Sequence, residues 1–254
     1  MTKLGTPIAG FLGGFSTGTL PHRLTMTVFS RRTVTALLLT FAAGGCGSDD
    51  ATGPGSDADS DSEVATYRVT FEATWSAGTH PTDFPPGPHF SPLIGATHSA
   101  DVAFWAEGGM ATPGIRSMAE TGGTSALATE VTEAITAGMA DRVLLSGGIG
   151  TSPGEVTLTF DVRRDRPLVT LVSMIAPSPD WFVGVHDLSL RAADAWRDEV
   201  TITLVAWDAG TDSGPTYTSL NQATQPAAPI QRIQDGPLGG SAALGTFTFT
   251  RLPG

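Results

Sequence analysis

Lysine is missing from this chain after its third residue: Lys3 stands alone, and every later basic residue is an arginine. Cysteine is as scarce, with Cys46 the single example, and tyrosine occurs twice. Charged residues make up only 15% of the 254, and the formal net charge is −11. Each shortage excludes something. Without lysine in the body of the chain there is no P-loop lysine and no Schiff-base amine, and one cysteine forms no intramolecular disulfide. An acid excess repels phosphate backbones, so nucleic acid is not expected as a partner. No apolar run approaches the ~20 residues needed to cross a bilayer. Glycine (31) and proline (18) are abundant, which favours short strands joined by turns over long helices. A hydrophobic content of 40% is enough to bury a core.

The lone cysteine is informatively placed. Arg31-Arg32 precede an apolar stretch, Val34 to Ala43, broken only by threonines, and Ala43-Gly44-Gly45 leads into Cys46. A basic start, a short apolar stretch and small residues before a cut read as a secretory signal. The cysteine at the cut makes it resemble a bacterial lipoprotein signal, whose thiol receives lipid and becomes the new N-terminus. Residues 1–45 are therefore expected to be removed. Met26 is a candidate true start, because residues 1–25 have no place in such a signal, and Arg31-Arg32 also resemble a twin-arginine export signal. The expected location is a bacterial cell envelope, with the chain lipid-anchored at Cys46. Cleavage removes four of the fourteen basic residues (Lys3, Arg23, Arg31, Arg32) and no acid, leaving ten against 25 acids and a net charge of −15.

Residues 46–63 carry six acids and no large apolar side chain, an acidic tether. Asp57-x-Asp59-x-Asp61 imitates the start of an EF-hand loop. Ser62 stands where that loop needs glycine and Arg68 where it needs a bidentate glutamate, so the resemblance fails. Residues 64–254 form the folded domain. From residue 65 to 75 the chain alternates, with Tyr67, Val69, Phe71, Ala73 and Trp75 on one face and Arg68, Thr70 and Glu72 on the other, the period of a half-buried strand. Similar reasoning predicts strands over 155–162, 168–175, 200–207 and 246–252, with a hairpin around 163–167. The strand over 200–207 is expected to have both faces partly covered. Leu127, Val131, Ile135 and Met139 recur every four residues and predict a helix near 125–140, capped by Ser125. The expected fold is all-β, an antiparallel β-sandwich with a helical insertion.

Two loops carry candidate chemistry. Trp207-Asp208-Ala209-Gly210-Thr211-Asp212-Ser213-Gly214 follows the strand over 200–207, and Pro177-Ser178-Pro179-Asp180-Trp181 follows the strand over 168–175. If those strands run the same way, Asp180, Asp208 and Asp212 meet at one end of the sandwich. Three carboxylates repel unless a cation neutralises them. With no histidine or cysteine in either loop, a hard cation such as calcium fits better than zinc. Gly210 and Gly214 would let backbone carbonyls turn inward. The competing reading is that Asp208 and Asp212 cap turns, as aspartates commonly do.

Five blocks in order now resemble the spondin amino-terminal domain, the module of F-spondin and mindin: YRVTFEATW (67–75) with Thr79-His80-Pro81, FSPLIGATHS (90–99) after His89, WAEGG (105–109), PSPDWFVGV (177–185) and WDAGTDSG (207–214). They span roughly residues 65–253. The resemblance implies a C2-like antiparallel sandwich that binds calcium at one end through acids matching Asp180, Asp208 and Asp212. It also hints at an acid on the preceding strand, Asp161, which is set aside because it lies near the far turn. The chain departs from animal members in lacking their cysteine pair after PSPDW, where 188–196 stands, and in having no thrombospondin-type repeats after the domain. Animal adhesion partners therefore do not carry over directly.

His80, His89 and His98 stand nine apart, spread over proline-rich loops, a spacing that favours hydrogen bonding or packing over a zinc site. No nucleophile elbow and no His-Glu-x-x-His helix is read, and Trp75, Trp105 and Trp181 read as core. The expected function is an exported, lipid-anchored, calcium-binding adhesion or matrix-binding module and not an enzyme, its partner an unspecified surface protein or polysaccharide. The alternative is a calcium-dependent surface hydrolase or glycan-binding protein. A labelled fatty acid should be incorporated into the wild-type chain and not into Cys46→Ala; equal labelling of both removes the lipoprotein reading.

Overall fold

The computed structural model describes residues 62–240 and 242–254. Cys46, the export signal and the tether as far as residue 61 lie outside the described residues. The strands are β1 (Val64–Ala73), β2 (His89–Phe90), β3 (Ile94–His98), β4 (Ala140–Leu145), β5 (Gly154–Arg163), β6 (Leu168–Ala176) and β7 (Trp181–Ser189). They continue with β8 (Arg191–Ala192), β9 (Ala195–Trp196), β10 (Glu199–Leu204), β11 (Trp207–Asp208), β12 (Gln231–Arg232) and β13 (Gly245–Arg251). Two helices, α1 (Pro113–Thr121) and α2 (Ser125–Thr136), lie between β3 and β4.

One sheet has the order β10-β13-β1-β5. The other runs β12-β11-β7-β6-β3-β4, with β2 also on β6, and β8-β9 form a separate ribbon. Every pairing between strands is antiparallel. The sheets pack face to face. The predicted face of β1 points inward, with Tyr67, Val69 and Phe71 fully buried, and Phe71 meets Phe247 and Phe90 edge to face at 5.0 and 4.8 Å. Such offset aromatic pairs are favoured by ring quadrupoles and add about 0.5–1.5 kcal/mol to the area they bury.

The second sheet is covered on its other face as well. Val169, Leu171 and Ile175 of β6 join the core between the sheets. The alternating Val172, Met174 and Ala176 join a second core with Ile115 and Met118 of α1 and Leu127 and Val131 of α2. The molecule is thus a sandwich with a helical layer on one side, as the helical insertion implied. α1 was not anticipated, although its end signals are in the sequence. Thr112 accepts a hydrogen bond from the Ile115 amide at 3.1 Å, Pro113 opens the helix, and Gly122 closes it at φ 69°. α2 stops at Thr136, four residues short of prediction, and Met139 lies beyond it. Its N-cap is Thr124, without a side-chain hydrogen bond, and Ser125 is the first helical residue rather than the cap.

Two strand expectations need correction. The segment 163–167 is not a hairpin: β5 pairs with β1 and β6 with β3 and β7, so the turn crosses from one sheet to the other. The strand expected over 200–207 breaks at Val205-Ala206. β10 stays on the first sheet while β11 joins the second, so the chain changes layer just before Asp208. β10 is an edge strand whose Thr201 and Thr203 are exposed, so both faces are not covered.

A half-buried carboxylate ties the helices together. Glu130 of α2 accepts from the Gly114 amide and from the Thr112 hydroxyl, both at 2.7 Å, placing an acid at the positive end of α1. Glu130→Gln should lower stability by about 1.5–3 kcal/mol, the usual value of a charge-assisted bond, whereas the neighbouring surface change Glu133→Gln should cost almost nothing. Urea denaturation of both variants checks this; equal midpoints would remove the clamp.

Candidate functional site

β7 lies antiparallel to both β6 and β11. β6 and β11 therefore run the same way, and the loops after them share one end of the sandwich. In the first loop the Ser178 hydroxyl accepts from the Trp181 amide at 3.1 Å, fixing the turn that aims Asp180 inward. In the second loop Gly210 takes φ 74°, and a Cβ there would sit 2.1 Å from the Ala228 carbonyl oxygen, so only glycine fits.

Asp180 is fully buried and joins the loops. Its Oδ2 accepts from the Thr211 amide (2.7 Å), the Thr211 hydroxyl (3.1 Å) and the Asp212 amide (3.0 Å). Its Oδ1, buried too, has no hydrogen-bond partner. Burial, and after it the charge of Asp208, push its pKa up to about 6 against the three bonds that favour the carboxylate. Asp208 is also raised, by burial first and then by Asp212, with the Gly210 amide opposing. Each acid thus feels the next. Asp208 Oδ1 accepts from Gly210 N at 2.6 Å. Asp212 Oδ1 accepts from Gly214 N at 2.8 Å, and its Oδ2 from Gln222 N at 3.0 Å.

Two readings of these aspartates therefore coexist. One oxygen of Asp208 and both of Asp212 perform the turn-capping role, while Asp180 Oδ1 has nothing to bond. Gly210 does not supply an inward carbonyl, because its oxygen accepts from the Ala228 amide at 2.8 Å. Among the described residues no three His, Cys, Asp or Glu side chains are gathered tightly enough to hold a metal ion. The three acids occupy one corner but do not converge on one point. An ion there would draw on Asp180 Oδ1 and Asp208 first, with Asp212 following only if its turn bonds yield. The orphaned buried oxygen and the mutual repulsion are the two costs that a hard cation would relieve. Asp208 and Asp212 also line a cavity of about 250 Å³, together with Trp181, Gly214, Pro237 and a fourth acid, Asp235. Asp235, in an Asp-Gly turn, carried no functional signal in the sequence, and neither did Thr211.

The Spondin_N family model matches residues 65–240. The chain belongs to the spondin N-terminal domain family. It is 36% identical over 193 residues to spondin-2 of Homo sapiens, covering 74% of this chain and 58% of that protein. It is 37% identical over 181 residues to spondin-1 of Gallus gallus, covering 67% of this chain and 22% of that protein. This spondin domain thus spans just over half of the one relative and less than a quarter of the other.

Other sequence candidates fall elsewhere in the spondin domain. Asp161 accepts from the Thr66 hydroxyl at 2.8 Å, near the opposite end of the sandwich. His80 is buried against the Thr79 hydroxyl (3.0 Å), and burial lowers its pKa. His89 bonds the Gly87 carbonyl (2.8 Å). His98, fully buried, donates from Nδ1 to the Ser99 carbonyl (2.8 Å) and accepts at Nε2 from Thr170 (2.9 Å). Each histidine has its own local partner. Trp75, Trp105 and Trp181 are buried core residues. Gly150–Gly154 has Gly-x-Ser-x-Gly spacing, but Ser152 is buried, donates to the Trp75 carbonyl at 2.8 Å and precedes a strand, so it is no nucleophile elbow.

With chelator present, the raised pKa of Asp180 has a definite consequence. Between its unfolded value of about 4 and its folded value of about 6 the native state keeps a proton that the unfolded state has lost. Stability should therefore fall as pH rises through that window and level off above it, by roughly 2–3 kcal/mol at most. Denaturant titrations in EDTA at pH 4 to 7 should show this decline, and Asp180→Asn should flatten it. An unchanged slope in the variant would show that this carboxyl is not the group titrating.

Proposed function

We propose that this chain is an exported spondin module, lipid-anchored at Cys46 in a bacterial envelope, that binds calcium at the Asp180–Asp208 corner and acts in adhesion or matrix binding. The observation that carries the calcium reading is the fully buried Asp180 Oδ1 with no hydrogen-bond donor, beside a second carboxylate that raises its pKa. A buried anionic oxygen without a donor is costly. A divalent ion removes that cost and the repulsion together, and calcium tolerates the mix of carboxylate, backbone and water oxygens available there.

The placement of the ends supports an adhesive role. Val64 pairs with Arg163, and the turn after Arg163 leads to the start of β6, whereas Asp180 follows the far end of β6. The start of β1 and the acidic loops therefore lie at opposite ends of the domain. The chemistry supports binding over catalysis. The hydroxyl–imidazole pair Thr170–His98 is fully buried, where no substrate reaches it.

Saturating calcium, at 100 times Kd, should stabilise the chain by about 2.7 kcal/mol and raise Tm by roughly 5–10 °C. Asp208→Asn should shrink that shift yet leave the metal-free form equal or slightly more stable, because one like charge is gone. If Asp208 serves only as a turn cap, the variant instead loses the same stability with and without calcium. A wild-type Tm unmoved by chelator would end the calcium reading.

A further inference from the structure

Of the four strands that end the two main sheets, three are protected. β12 is only two residues long. β4 bulges at Asp141, since Thr97 faces Arg142 while His98 faces Ala140, and it carries the Asp141–Arg142 ion pair. β5 is tied to β4 at its far end, Asp161 to Arg142 and Arg163 to Asp141. Short strands, bulges and charges of this kind keep sheet edges from pairing with other chains. β10 has none of them. Its six residues pair with β13 in an unbroken register, without proline, lysine or bulge. The Asp198 and Leu204 carbonyls accept from Arg251 and Leu244 on the β13 side. By the alternation of an antiparallel ladder, Glu199, Thr201 and Thr203 therefore aim their N–H and C=O groups away from β13, where no strand lies among the described residues. All three are exposed. Val200 and Ile202 face the core yet are only half-buried, whereas their β13 partners Phe249 and Phe247 are fully buried. The edge thus leaves both hydrogen-bonding groups and apolar flanks uncovered.

We propose that β10 is a self-association surface, on which a second copy of this chain adds its own β10 antiparallel and joins the two four-stranded sheets into one. The strand fits itself. With a twofold axis at Thr201, that residue meets the second copy's Thr201, Glu199 meets the second copy's Thr203, and Val200 meets the second copy's Ile202. Each outward pair exchanges two backbone hydrogen bonds, and the half-buried Val200 and Ile202 cover one another. The strand's single charge, Glu199, faces a hydroxyl, so like charges do not meet. A slip of one residue would set the apolar side chains against threonines on the wrong face, which fixes the register. An unrelated extended peptide could share the backbone bonds but has no such reciprocity, the mark of a twofold interface. β10 runs parallel to β1, since both are antiparallel to β13. The two copies therefore point in opposite directions, with the acidic loops of one at the end where β1 of the other starts.

Sedimentation equilibrium of the full-length chain in detergent tests this, with EDTA present so that metal binding plays no part. The wild type should show a concentration-dependent equilibrium between monomer and dimer. Thr201→Lys sets two like charges face to face, and Thr201→Pro removes the outward N–H without touching the β13 ladder. Each should weaken dimerisation at least tenfold. Thr201 is exposed, so the Lys variant should keep the wild-type Tm. Thr157→Lys, on the exposed face of β5, should dimerise like the wild type. In a Cys46→Ser background, Thr201→Cys should oxidise to a disulfide-linked dimer, because directly opposed Cα atoms lie about 5.5 Å apart. Thr203→Cys, which faces Glu199 and not its own counterpart, should not. The inference is overturned if the wild type stays monomeric up to ~1 mM, or if Thr201→Lys and Thr201→Pro dimerise as tightly as the wild type. It is also overturned if Thr203→Cys cross-links as readily as Thr201→Cys.

Discussion

Burial of the seven-stranded sheet on both faces is the constraint from which the site follows. β6 is held between two cores, one shared with the four-stranded sheet and one with α1 and α2, and eight of its nine residues are buried. A strand packed on both sides cannot slide by one residue without exchanging its two apolar faces. That fixes the register of β7 on β6, and β7 in turn fixes β11. Asp180 and Asp208 owe their proximity to this chain of registers: one follows β6, the other ends β11. The helical layer sits far from the acids in sequence but underlies their geometry, because without it the sheet would lose one of its cores.

Within that frame Asp180 acts as an internal link with an imbalance. Three donors crowd onto one of its oxygens and none reaches the other. In water both oxygens would be solvated. In the corner the first is well satisfied and the second is not, so burial outweighs the hydrogen bonds and the pKa rises. Turn bonds do not occupy the three aspartates equally. Asp212 spends both oxygens on backbone amides and is the most tied to its loop. Asp208 spends one. Asp180 keeps a buried oxygen in reserve.

The outer sheet was the legible one. β1, β5, β10 and β13 each have a solvent face, so threonine and charge alternate with Val, Ile and Phe, and period two shows through. β3 and β7 were missed for the opposite reason. Ile94–His98 is buried at every position, and Trp181–Ser189 has its apolar residues on both faces, so neither alternates. β7 was seen only as part of the motif PSPDWFVGV. The single strand over 200–207 failed because its apolar residues continue smoothly through Val205-Ala206, where the backbone passes from one layer to the other; nothing in side-chain type marks that step. α1 was hidden by small residues, since its buried face is Gly114, Ile115, Met118 and Ala119. The site was legible as three acids in two loops. Its uneven hydrogen bonding was not, because which amide meets which oxygen depends on the β6–β7–β11 register.

Composition and site meet in the charge of the domain. Residues 64–254, with 19 acids, ten arginines and no lysine, have few cations to spare for neutralising a buried acid. Three of its arginines are committed at the opposite end of the sandwich: Arg142 to Asp141 and Asp161, Arg163 to Asp165, and Arg164 to Glu63. None of these pairs touches Asp180, Asp208 or Asp212. Among the described residues the acidic corner is thus left without an ion-paired counter-charge, and Arg232, close enough to line a cavity with Asp208, is paired with none of the three. A chain that needed only a stable loop could have placed an asparagine at 180 and kept acceptors for Thr211 and Asp212 without a buried charge. Keeping the carboxylate raises the cost of burying that corner and, by the same electrostatics, the gain that a divalent cation would bring there.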